Sequence, residues 1–193
     1  MLASGNKNFV SGTPAHPRQD ADVRVALANK QKPFAALFGC SDSRLAAEMI
    51  FDVGLGDLFV VRNAGQVIAE TILGSLEYAV EILEVPLILV LGHDECGAIR
   101  STMNAAEGAL DLKGEFIHNL VGRIMPTVKR SLDAGETSID EVTDRHVRDT
   151  IDELLERSKV ISNAVKDGKL AVVGANYKLE LGEVHAIVTH GQI

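Results

Sequence analysis

Four short apolar runs constrain this chain more than any other feature. Phe34–Gly39, Leu58–Val61, Pro86–Leu91 and Leu170–Val173 are of strand length, and none alternates apolar with polar residues. Glycines punctuate them: Gly54 and Gly56 precede the second run, while Gly92 and Gly174 follow the third and fourth. A strand that is apolar on both faces must be covered on both, which is the condition of a parallel sheet between helix layers. Helical stripes fill the gaps. Ile72, Leu76, Ala79/Val80 and Leu83 recur at helical spacing, as do Ile117, Leu120/Val121, Ile124 and Val128, and then Val147, Ile151, Leu154, Ile161 and Val165. Alternating strands and helices with right-handed crossovers predict an α/β fold: an open, mainly parallel sheet of four strands flanked by helices. Val184–Thr189, following a turn at Glu180–Gly182, adds an edge strand. The opening segment is polar and carries Pro14 and Pro17, so residues 1–24 read as an irregular arm. No repeat, low-complexity tract or long linker divides the 193 residues, and 46% apolar content suffices for the core of one domain, mostly aliphatic because only 4% are aromatic.

Composition removes several classes of function. A formal charge of −8 and a pI near 5.2 work against nucleic acid and anionic membranes, which reward clustered Lys and Arg. No apolar run approaches the roughly 18 residues of a membrane-spanning helix. Met1–Val10 has no signal-peptide hydrophobic region, which predicts a cytoplasmic protein. Two cysteines make no disulfide framework in a chain this long, and in a reducing compartment they point to metal binding or catalysis.

Their positions sharpen that reading. Cys40 follows the first run, in Cys40-Ser41-Asp42-Ser43-Arg44, and Cys96 lies past the third, in Gly92-His93-Asp94-Glu95-Cys96-Gly97. Loops at the carboxyl ends of parallel strands share one edge, where α/β sheets bind ligands. Cys40, His93 and Cys96 therefore converge, as a set suited to Zn²⁺ with a fourth position left open, the pattern of a catalytic site. Taken singly, each cysteine fits a buried small hydrophobe as well; taken together with His93 the metal reading gains. Gly97-Ala98-Ile99 is predicted to open a helix, whose positive end would favour a thiolate at Cys96. Asp42 and Arg44 can form a charge-assisted pair beside the metal, although spacing alone suits a helix-capping Asp and a surface Arg slightly better.

The C-x-D-x-R of Cys40–Arg44 followed by the G-H-x-x-C-G of Gly92–Gly97 resembles the β-class carbonic anhydrases. The match extends through Gly56–Gly65 and Ser75–Val80 and back to Gly5-Asn6 and Phe9-Val10, covering roughly residues 5–190. This resemblance implies zinc, one ion per chain, held by Cys40, His93 and Cys96, with Asp42 and Arg44 as a catalytic dyad. The implied reaction is reversible hydration of carbon dioxide to bicarbonate and a proton, by hydroxide from a zinc-bound water whose pKa falls from 15.7 toward about 7. Gln31, Phe59, Tyr78 and Gly97 match substrate-binding positions of the family's plant-like, open-site members, some of them donated across a dimer interface. A homodimer or higher even oligomer is implied, with no nucleic-acid or membrane partner.

Three departures from the family pattern matter. Some members bind inhibitory bicarbonate through a Trp, an Arg and a Tyr; Arg62 and Tyr177 match, but Leu37 replaces the Trp, which argues against that regulation and for an open site. Gln66 stands where Asn is usual. The chain also begins close to the Gly-Asn segment, without most of the family's first helix. His16, His118, His146, His185 and His190 carry no ligand spacing and read as surface or satisfied side chains; spacing selects none of them as a proton shuttle. Two alternatives stay open at this level: hydrolysis of carbon disulfide or carbonyl sulfide on the same fold, and a non-catalytic zinc protein with a structural or sensing site.

Overall fold

Pairing of the apolar runs decides the architecture. The computed structural model describes residues 1–110 and 112–192. Its strands are β1 (Ala35–Cys40), β2 (Leu58–Asn63), β3 (Leu87–His93), β4 (Ala171–Lys178) and β5 (Glu183–His190), in the order β2-β1-β3-β4-β5. The first four run parallel, and β5 returns antiparallel to β4. This is the open α/β sheet expected, with the edge strand present. Strands β1 and β3 run past the apolar stretches to include Cys40 and His93, because Asn63 and Tyr177 lie opposite them on neighbouring strands.

The helices are α1 (Leu2–Val10), α2 (Ala21–Leu27), α3 (Ala47–Ile50), α4 (Glu70–Glu81), α5 (Gly97–Ala106), α6 (Glu115–Asp133), α7 (Ile139–Arg157) and α8 (Lys159–Lys166). Alternate residues of the central strands feed two separate cores, as a period of two requires. Leu37, Leu89, Leu91 and Val173 pack with Ile99, Ile124 and Val142 on one face. Ala36, Phe38, Ile88, Val90 and Val172 pack with Ile72, Leu76, Ile151 and Leu154 on the other. The long stripe from Val147 to Val165 is two helices rather than one. Ser158 ends α7, and its Oγ accepts from the Ile161 amide to cap α8. No helix among the described residues is long and apolar enough to cross a membrane.

The N-terminal arm corrects the expectation of an irregular segment over residues 1–24, because α1 and most of α2 lie within it. Polar composition misled here: Asn6 is a buried tie rather than a loop residue. Its Nδ2 donates to the carbonyls of Ile50 (3.1 Å) and Gly182 (2.8 Å), and its Oδ1 accepts from the Val184 amide at 3.0 Å. Gly5 permits the approach, since a Cβ there would lie 1.7 Å from the Phe51 carbonyl oxygen. Asp20 then caps α2 by accepting from the Val23 amide. The irregular stretch that separates the helices is folded back by Asp52, whose carboxylate accepts from the amides of Ala15 and His16.

Asn6→Ala removes the side-chain partner of three backbone groups, two of them in buried hydrogen bonds. It should lower the unfolding free energy by about 3 kcal/mol, given about 1–3 kcal/mol for each buried group left unpaired. Urea denaturation measures this, and a loss below about 1 kcal/mol would mean that the α1 tie is not structural.

Candidate functional site

Cys40 is the last residue of β1, His93 the last of β3, and Cys96 the N-cap of α5. All three are buried, and their donor atoms lie within 4.8 Å of one another, the only such His/Cys/carboxylate group among the described residues. The imidazole is committed to one tautomer. His93 Nδ1 lies 2.7 Å from the Asp94 carbonyl oxygen, which can only accept, so the proton sits on Nδ1. That leaves Nε2 with its lone pair, buried and without a partner in the protein. An unpartnered imidazole nitrogen beside two sulfurs is a costly burial unless a cation takes the lone pair, so the donor set fits a zinc ion.

The thiols share one negative charge unequally. Cys40 is pulled down to about 4, chiefly by the hydrogen bond from Cys96, against burial, with His93 and the amides of Gly65 and Asp42 adding to the effect. The Gly65 N–H reaches the Cys40 sulfur at 3.3 Å. Cys96 is pushed up by Cys40 and by burial, which outweigh the helical amides of Ile99 and Ala98. The α5 amides favour a thiolate at Cys96, as expected of a helix end, against the opposing pull of Cys40 and of burial. A dication removes that competition, because it stabilises both thiolates at once.

Asp42 and Arg44 form a two-pronged pair. Arg44 Nε donates to Asp42 Oδ1 at 2.9 Å and Nη2 to Oδ2 at 2.8 Å, while the Arg44 amide also donates to Oδ1. Helix α3 starts only at Ala47 with Ala46 as its N-cap, so Asp42 caps no helix. Asp42 Oδ2 lies 3.9 Å from His93 Nε2, which places the carboxylate at the rim of the cluster. Arg44 holds that carboxyl far below the usual carboxylate range, with its own amide and His93 contributing. Arg62 braces the loop from below: Nε donates to the Cys40 carbonyl at 2.8 Å and Nη2 to the Asp42 carbonyl at 2.6 Å. Leu37 and Tyr177 are both buried in the same core.

The other sequence candidates divide. Gly97 opens α5 next to Cys96, and a Cβ there would meet no other segment within 4 Å, so this position is uncovered. Gln31, Phe59 and Tyr78 do not join the cluster of their own chain. Phe59 pairs with Ala36, at the other end of β1 from Cys40, and its ring lies 6.0 Å from that of Tyr78. Gln31 and Tyr78 line a shallow cavity of about 510 Å³ with Leu27 and Leu83. Gln66 is buried, and its amide lies beneath Gly92, where a Cβ would approach Nε2 to 3.4 Å. Sequence reasoning missed His146, which is buried with Nε2 2.7 Å from the Gly65 carbonyl oxygen. Nothing in its spacing marks it, since it reaches the site through a turn distant in sequence.

The comparisons with known proteins agree with this geometry. The sequence model of the family described as "Carbonic anhydrase" matches residues 35–184. "Carbonic anhydrase 2" of Mycobacterium tuberculosis is 49% identical over 181 residues, covering 94% of this chain and 87% of that protein. The β-carbonic anhydrase CcaA superposes with a TM-score of 0.77 at 26% identity, over 100% of this chain and 91% of that one. One of two tetrameric β-carbonic anhydrases of Sordaria macrospora gives 0.75 at 25% identity, over 96% and 94%.

A depressed carboxylate pKa has a defined consequence for pH. The stabilisation from the Asp42–Arg44 pair is fully present above the unfolded value of about 3.9, and it is lost only as pH falls through the lower folded value. Asp42 should therefore stay ionised and paired from pH 8 down to at least about 4. Carbon-13 carboxyl NMR should show no Asp42 midpoint in that range, and in Arg44→Ala a midpoint moved up toward about 3.9. A wild-type midpoint above 4 would contradict the pairing.

Proposed function

The chain belongs to the β-class carbonic anhydrases, carbon–oxygen lyases, and from that membership we propose that Cys40, His93 and Cys96 hold one zinc ion at which carbon dioxide is reversibly hydrated to bicarbonate. The observation that carries this reading is the free, buried Nε2 of His93 beside two thiols, with Asp42 held at the rim by Arg44. Zinc, when bound, supplies the Lewis acidity that makes a water acidic enough to act as a nucleophile near neutral pH. Two thiolates offset the charge of the ion and weaken that effect, so the neighbouring carboxylate has work to do.

Asp42 accepts the proton of the attacking water or orients it. Both of its oxygens already accept from Arg44, yet each keeps a second lone pair for this purpose. Arg44 in turn keeps Asp42 ionised and turned from the metal, the open arrangement, and Leu37 offers no indole donor to hold an inhibitory bicarbonate in its place. Gly97, exposed and covered by no other segment, is the side from which carbon dioxide approaches.

Gln31, Phe59 and Tyr78 bind substrate in this reading from a second copy of the chain. Their place at the far end of the sheet from their own cluster supports a homodimer or higher even oligomer, and the Sordaria relatives are tetrameric. Two adjacent cysteines that stay free rather than pair as a disulfide suit a reducing compartment, which supports the cytoplasmic assignment.

Cys40→Ser and Cys96→Ser should each lose zinc and activity together; elemental analysis that finds stoichiometric zinc in either variant removes that cysteine from the ligand set. Asp42→Asn should keep zinc while turnover of carbon dioxide falls by about 10²–10⁴-fold, as for positioned acid–base groups. Stopped-flow assays with carbon dioxide, carbonyl sulfide and carbon disulfide decide the substrate. Faster turnover of either sulfur compound would replace the anhydrase reading, and zinc without any turnover would make the site structural.

A further inference from the structure

The turn from Asn63 to Val67 is held more firmly than a connection between a strand and a helix requires. Gly65 (φ +70°) and Gln66 (φ +38°) are consecutive left-handed residues, a conformation that a non-glycine residue such as Gln66 adopts only under constraint. A Cβ on Gly65 would come within 2.9 Å of Ala98 Cβ and of Ile124 Cδ1, so the turn is pressed against α5 and α6. Asn63 latches its ends: Oδ1 accepts from the Val67 amide at 2.9 Å, and Nδ2 donates to the Val67 carbonyl at 2.8 Å. The middle is held from α7 by His146, through the contact of Nε2 with the Gly65 carbonyl oxygen at 2.7 Å.

What the constrained turn presents is the Gly65 N–H, which meets the Cys40 sulfur at 3.3 Å. Helix α7 thus grips both this turn and the His93 end of β3. One turn before His146, Thr143 Oγ1 donates to the His93 carbonyl, and Val147 packs where Gly92 leaves space. A carbonyl oxygen cannot donate, so His146 carries its proton on Nε2, and burial keeps the ring neutral.

We propose that His146 is a positioning residue for the metal centre: its Nε2–H holds the Gly65 carbonyl and so pins the Gly65 backbone, keeping the Gly65 N–H, in the preceding peptide, on the Cys40 sulfur. That hydrogen bond draws charge from the thiolate and keeps it a weaker donor, the kind of outer contact by which a protein sets the acidity of a metal. The inference rests on the reading of Cys40, His93 and Cys96 as metal ligands.

The cobalt(II)-substituted protein reads the sulfur directly through its sulfur-to-cobalt charge-transfer band. In His146→Leu the band should move to longer wavelength, because a thiolate without its N–H partner gives up electrons more easily. Turnover should fall by about 10-fold, the lower end of the effect of such outer contacts. His146→Gln restores an N–H donor and should return the band toward the wild-type position. An unmoved band in His146→Leu, or equal shifts in the two variants, would overturn the proposal, since packing alone would then explain His146. Nitrogen-15 imidazole spectra of the wild-type protein need no variant: a proton on Nδ1 instead of Nε2 also overturns it. A wild-type chain that binds no cobalt, or binds it without a sulfur band, refutes the metal reading itself and is told apart in this way.

Discussion

The parallel register of β1 against β3 is the constraint on which the rest depends. With Leu37 opposite Leu89 and Gly39 opposite Leu91, the two strands leave the sheet at the same edge, carrying Cys40 and His93 with them. Burial on both faces enforces this register, because a slip by one residue would exchange the residues of the two cores. Cys96 then needs only a short turn to cap α5 beside them. The Cys40–His93–Cys96 cluster is in this sense a product of core packing, since the two cysteines belong to the same core as Leu37, Leu89 and Leu91.

Around that edge the polar groups are arranged in layers that each fix the next. Arg62 holds the backbone carbonyls of Cys40 and Asp42, Arg44 holds the Asp42 carboxylate, and the Asp94 carbonyl holds the His93 ring. A thiol pair, an imidazole acceptor and a carboxylate are thereby kept within a few ångströms with little freedom to rearrange, and such preorganisation is what positioned catalytic groups require. Two buried sulfurs side by side resist sharing a second charge, and a dication is the simplest partner that resolves it.

Much of this was legible in the sequence, for physical reasons that also explain what was not. Unalternating apolar runs such as Leu87–Leu91 report two-sided burial, and the cysteines stood out as a rare residue type at equivalent strand ends. Spacing alone slightly disfavoured the pairing of Asp42 with Arg44, since a cap and a surface charge fitted a little better; the observed start of α3 at Ala47 removed the cap. The arm was misread because Asn6 and Gly5 look like loop residues until the Ile50, Phe51 and Gly182 backbone comes against them. His146 was invisible for a related reason: its partner, the Gly65 carbonyl, carries no side-chain signal and lies on a turn far along the chain.

The central claim is that Cys40, His93 and Cys96 together form a zinc centre with one position free for water. X-ray absorption at the zinc K-edge of the purified protein at pH 8 tests it most directly. The account predicts two sulfur scatterers at about 2.3 Å, with one imidazole and one further light atom at about 2.0–2.1 Å. A single sulfur, or four, would contradict the ligand set and with it the reading of the site.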